Sequence, residues 1–113
     1  MKMSKSKQKG TAAETAVVKY LKANGFPKAE RRALQGNLDK GDISGVDDVV
    51  FEVKDHKKME LSGWVKELEV EVDNANAVTG AVIHKRKGTT DVGEWYATMP
   101  VYMFLSLIRE LDV

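Results

Sequence analysis

The chain contains no cysteine, which removes disulfide frameworks and thiolate-based zinc sites from consideration. It has no long hydrophobic run. The longest, Val101-Tyr102-Met103-Phe104-Leu105, falls far short of the roughly 20 residues a membrane-spanning helix needs. No basic-then-apolar leader pattern opens it, so the expectation is a cytoplasmic protein with no membrane partner. Its 113 residues fit one domain, large enough for a hydrophobic core without metal or disulfide staples.

Net charge is also nearly absent, at +1, but the balance is local rather than uniform. Residues 1–40 hold ten Lys or Arg against three acids, and residues 41–113 hold eight against fourteen. A +7 stretch is thus joined to a −6 stretch. The basic part suits a polyanion, because neutralising phosphates releases counterions. A solvated face of mixed charge accounts for the same numbers.

Residues 1–10 are polar and basic without periodicity and read as an arm disordered in isolation, leaving 11–113 as a single domain. Thr11 and Glu14 have the spacing of a T-x-x-E capping box, and Val17, Val18 and Leu21 form an apolar stripe. Together they predict a helix from Thr11 to Ala23 that Asn24-Gly25 stops. Strands are expected over 28–35, 41–45, 48–54, 81–85 and 94–99. Leu61, Trp64, Val65, Leu68, Val72 and Ala75 recur at helical spacing, giving a helix over 61–77 that Gly80 ends. Its other face carries Glu67, Glu69, Glu71 and Asp73. Pro100 opens a last helix that runs to Leu111. The order αβββαββα describes an α/β fold, a central mixed β-sheet flanked by helices.

Chemistry concentrates at Gly41-Asp42-Ile43 and, ten residues on, Glu52-Val53-Lys54. The stretch Asp48 to Lys54 is rich in β-branched and aromatic residues, so it reads as a strand. Side chains alternate across a strand, which puts Val50, Glu52 and Lys54 on one face and Val49, Phe51 and Val53 on the other. The second face is wholly apolar and belongs in a core. The first sets an acid beside a lysine. With Asp42 alongside, two carboxylates can hold a hard divalent cation while Lys54 faces the same place. Taken without that neighbour, Glu52 and Lys54 are a solvated pair worth under about 1 kcal/mol.

With a Glu14-bearing helix upstream and an amphipathic helix downstream, the chain resembles the PD-(D/E)XK nuclease superfamily. The motif there is an acid, then after a variable gap Asp or Glu, any residue, and Lys; here it is Asp42…Glu52-Val53-Lys54. Among small members the chain is most similar to archaeal-type Holliday junction resolvases, which also carry a glutamate in the first helix. The resemblance covers most of the sequence. It implies a restriction-endonuclease-like core and a Mg2+-dependent endodeoxyribonuclease, with Mn2+ as a substitute. Asp42 and Glu52 become metal ligands, joined by the Val53 carbonyl and Glu14. Lys54 orients or deprotonates the attacking water, or offsets charge in the transition state. The implied partner is branched DNA, and paired cuts in a two-fold junction imply a homodimer. Two departures stand out: Gly41 replaces the motif's proline, and the loop before Asp42 lacks the serine such resolvases often have, Ser44 being the nearest.

For Glu14 the residues leave two roles open, helix cap or metal-site acid. Arg31, Arg32, Lys57 and Lys58 are candidates to grip phosphates, with Lys28 and Lys40 as weaker additions. Lys85 and Arg86, at the end of the fourth strand, can line the same cleft. Each of these also reads as ordinary surface. His56 is a loop residue that contacts DNA or solvent, and His84 reads as structural. Trp64 belongs to core or dimer packing. The last helix, with Tyr102, Met103, Phe104, Leu105, Leu107 and Ile108, has apolar surface to spare for a second subunit. Three alternatives to junction resolution stay open: a nuclease-fold protein that binds nucleic acid without cutting, a structure- or end-specific nuclease on other DNA, and an unrelated α/β interaction module.

Overall fold

Period-two alternation from Val49 to Lys54 builds the central strand on which the other elements are arranged. The structure, a computed structural model, describes residues 4–33 and 36–111. In chain order it contains α1 (Lys5–Ala23), β1 (Glu30–Arg31), β2 (Ile43–Ser44), β3 (Val49–Lys54), α2 (Leu61–Ala75), β4 (Thr79–His84), a 3-10 turn (Val92–Glu94), β5 (Tyr96–Thr98) and α3 (Val101–Leu111). This is an α/β fold with the expected element order around one mixed five-stranded sheet.

The strands lie side by side in sequence order. β1–β2, β2–β3 and β4–β5 pair antiparallel, whereas β3 and β4 run parallel with Phe51 opposite Ala81 and Lys54 opposite His84. A parallel pair needs a long crossover, and α2 supplies it. α1 covers one face: Ala13, Val17, Val18 and Leu21 pack with Ile43 and Val53. On the other face Trp64, Leu68 and Val72 of α2 and Met103 of α3 pack with Val50 and Val82. Leu68 and Val82 are fully buried, each burial stabilising by about 1.5–3 kcal/mol. Trp64 is a core residue, which removes it from the candidate dimer surface.

Several expected boundaries are corrected. α1 begins at Lys5, six residues before Thr11, because the Ser4 hydroxyl caps it by accepting the Lys7 N–H at 3.2 Å. Residues 5–10 of the expected arm are therefore helical; residues 1–3 lie outside the described residues. Thr11 now sits inside the helix, so it makes no capping box with Glu14. The first strand spans two residues rather than 28–35, of which 34 and 35 lie outside the described residues. α2 stops at Asn76, which takes a left-handed conformation, and Gly80 lies inside β4. A Cβ at Gly80 would meet the Val50 carbonyl oxygen at 2.8 Å and Leu68 Cδ1 at 2.9 Å, so glycine lets α2 lie close on the sheet.

α3 contributes Met103 to the core and turns Val101, Phe104, Leu105, Ile108 and Leu111 outward, between 42% and 73% exposed. That spacing is one stripe along one side of a helix.

Candidate metal centre

β3 presents its faces as the alternation requires. Phe51 and Val53 pack towards α1, while Val50 packs under α2 and takes Glu52 and Lys54 to the same side. Glu52 is not solvated there: it is 4% exposed. Lys54 is half-buried, its Nζ 3.9 Å from Glu52 Oε2 and 3.1 Å from Glu67 Oε2 of α2.

Asp42 enters just ahead of β2, and its backbone is fixed on both sides. Its N–H donates to the Phe51 carbonyl at 2.8 Å, and its carbonyl accepts the Arg32 N–H at 2.8 Å. Its carboxylate Oδ2 accepts the Val53 N–H at 2.7 Å. The N–H and C=O of one strand residue leave on the same edge, so the Val53 carbonyl also opens on the edge where Asp42 sits. Asp42 lies close enough to Glu52 to help raise the Glu52 pKa.

The sequence-expected acids are joined by others that the sequence did not single out. Glu71 of α2 is 1% exposed, a correction to its assignment to the helix's polar face. One carboxylate oxygen each from Asp39, Glu52 and Glu71 lie within 4.8 Å of one another. Burial first, then Asp42 and Glu71, pushes the Glu52 carboxyl far above its ordinary range. Burial, opposed by Glu52 and reinforced by Asp39 and Asp42, also raises Glu71. For Lys54, burial alone pulls the pKa down, but Glu52, Glu67 and Asp42 more than offset it and the ammonium is held charged.

Glu14 approaches from α1. It accepts a charged hydrogen bond from Arg31 Nε at 3.0 Å. Burial raises its pKa against Arg31, with Asp42 raising it further and Lys54 lowering it. Glu14 thus lies within electrostatic reach of the motif acid and lysine, and Arg31 is occupied in holding it.

Of the expected phosphate-gripping residues, Lys57, Lys85 and Arg86 come together. They line a groove of about 720 Å³ with Lys9 and Lys87, and Asp55, the residue after Lys54, forms part of its wall. Asp55 ties the groove together, 3.7 Å from Lys9 Nζ and 3.9 Å from Lys85 Nζ. Lys85 lies over the Trp95 ring and Arg86 over Tyr96, contacts that hold cations against aromatic faces. Lys58 and Arg32 are exposed but do not line this groove. His56 does line it, whereas His84 is buried between Trp64 and Tyr96.

No protein-family model, curated protein or solved structure matches the chain.

Proposed function

We propose that this chain is a metal-dependent DNA endonuclease hydrolysing phosphodiester bonds, with branched DNA of the Holliday junction type as substrate. The observation that carries the proposal is the convergence of Asp42 on a buried Glu52 whose nearest cation is Lys54, 3.9 Å away. The donor set fits Mg2+ or Mn2+: carboxylate oxygens suit hard cations, and a desolvated Glu52 is poorly neutralised by one lysine at that range.

Asp42 and Glu52 would hold the ion, with the Val53 carbonyl as a third oxygen and Glu14 as a further acid. When bound there, such an ion would supply Lewis acidity for activating a water and offsetting phosphate charge. The protein groups do the rest. The Val53 N–H fixes the Asp42 carboxylate without neutralising it. Lys54 offers its ammonium where negative charge builds on phosphorus. Arg31 holds the Glu14 carboxylate by a hydrogen bond of 3.0 Å. The cationic groove, whose wall begins one residue past Lys54, would hold the DNA backbone.

A two-fold junction needs paired cuts, and one chain offers one such centre. Two copies would therefore pair, and the outward stripe of α3 is the surface suited to it.

The test is cleavage of four-way-junction, flap and linear DNA in Mg2+, Mn2+ or EDTA, with Asp42→Asn and Lys54→Ala as controls. Junction cutting that needs the cation, and that falls at least about a hundredfold in both variants, is expected. Salt-sensitive binding with no cutting in either metal would leave a nucleic-acid-binding protein instead. Cutting confined to flaps or ends would move the substrate away from junctions.

A further inference from the structure

Glu71 is the acid that α2 turns inward. It is 1% exposed, and neither of its carboxylate oxygens has a hydrogen-bond donor among the described residues. What it faces is acidic: oxygens of Glu52 and Asp39 lie with its own inside one 4.8 Å cluster. Ionised carboxylates only accept hydrogen bonds, so three this close repel unless a proton or a cation sits among them. Asp39 is not there by drift of a loose loop. Asn74, one turn after Glu71 on α2, donates to the Asp39 carbonyl at 2.8 Å, and Asp39 Oδ1 accepts the Gly41 N–H at 2.9 Å. The helix that buries Glu71 therefore also holds Asp39 beside it.

We propose that Asp39, Glu52 and Glu71 form a second seat for a hard divalent cation, adjoining the Asp42–Glu52 position and sharing Glu52 with it. Three carboxylates favour Mg2+, Mn2+ or Ca2+ over softer ions. Asp39 is exposed and Glu71 is not, so water completes the coordination from the Asp39 side. The adjoining position rests on the nuclease proposal; the second seat itself is a property of the fold, whether or not the chain cuts DNA. The competing arrangement is a single proton shared between Glu52 and Glu71, with no cation.

Mn2+ binding to the full chain, followed by electron paramagnetic resonance of the free ion, separates the two. Glu71→Gln should weaken one class of Mn2+ binding at least about tenfold, the loss that even an outer partner of a metal typically causes. The rise in melting temperature that Mn2+ gives the wild type should shrink in the same variant. Asp39→Asn, at an exposed position, should show the same loss and keeps the test decisive if Glu71→Gln unfolds. Mn2+ binding that stays within about twofold of wild type in both variants overturns the seat in favour of the shared proton. Wild type that binds Mn2+ through Glu71 yet cuts no DNA leaves the seat standing and removes the nuclease. Cutting that Asp42→Asn abolishes, with Mn2+ binding indifferent to Glu71 and Asp39, does the reverse.

Discussion

Asp42 Oδ2 accepts the Val53 N–H at 2.7 Å, joining the acid before β2 to the strand that carries Glu52 and Lys54. The bond fixes where a carboxylate can stand relative to β3, and it depends on the residue before it. Gly41 has φ +97°, and a Cβ there would lie 2.8 Å from Val50 Cγ1 and 2.9 Å from the Phe51 carbonyl oxygen. The motif's usual proline, locked near −65°, could not take this conformation.

Gly41→Ala should therefore cost about 1–3 kcal/mol from backbone strain alone, with more from the contact with Phe51. Urea unfolding measures that cost. Cleavage measured well below the unfolding transition should fall as well, because Asp42 is displaced. A variant with wild-type stability and activity would show that the approach of Asp42 to β3 is loose.

The helical spacing of 61–75 was legible because its period matches its burial. Residues 49–54 were legible as a strand from their β-branched and aromatic content, but not in their burial, since Val50 and Glu52 on the face that carries the charges are buried as deeply as Val53. Glu71 was not, since its charge suggested solvent. Its position gives the opposite signal: 64, 68, 71 and 75 lie on one stripe of α2, so an acid there stands among core residues. Asp39 could not be read at all. It reaches the site through a hydrogen bond from Asn74, 35 residues away, and no local pattern encodes that contact. The early start of α1 was missed when residues 1–10 were read as an arm, although Ser4 is a good cap and Lys and Gln are good helix formers. The strand expected over 28–35 is present but shorter, at Glu30–Arg31, and Ala29 is the stretch's only buried residue among those described.

His84 gives a test of pH dependence away from the acids. It is 4% exposed, its Nε2 lies 2.8 Å from Thr98 Oγ1, and its Nδ1 has no partner among the described residues. Burial lowers its pKa below the ordinary 6.5. A lowered folded pKa means the unfolded chain takes the proton first, so stability is present above 6.5 and is lost as pH falls towards the folded value. Glu52 and Glu71, whose pKa values are raised, act with the opposite sign: their contribution is greatest at low pH and declines as pH rises. His84→Phe removes only the histidine's part. Its urea midpoint should fall less than the wild type's between about pH 7.5 and about pH 5.5. Parallel falls in both proteins would place the acid sensitivity elsewhere.

Groove residues should reveal themselves by salt. A lysine or arginine that neutralises one phosphate lowers the slope of log K against log salt by about one when removed. Lys85→Ala and Arg86→Ala should each do so, and weaken binding to junction and linear DNA alike. Lys22→Ala is the control: it lies at the far end of α1 from groove residue Lys9, about 20 Å along the axis at 1.5 Å per residue. Fluorescence anisotropy at several salt concentrations measures all three slopes. Equal slopes in every protein would take the groove out of DNA binding.

Junction resolution would also require pairing of two copies, and the proposal puts that pairing on α3. Val101, Phe104, Leu105, Ile108 and Leu111 form an exposed apolar stripe, while Met103 alone of that helix's described side chains is buried. Tyr102 is tied down, its hydroxyl donating to Glu69 Oε2 at 2.6 Å, so it marks the border of the stripe rather than its centre. Two such stripes laid together bury apolar area on both copies at once, as a two-fold contact requires. Leu105→Glu places a charge in the middle of that contact and leaves the Met103 core untouched. Sedimentation equilibrium at micromolar concentration should show a dimer for the wild type and a monomer for Leu105→Glu. The variant should still nick DNA but lose coordinated paired cutting of a junction. A wild-type monomer that stays monomeric on DNA would favour a nuclease making single cuts.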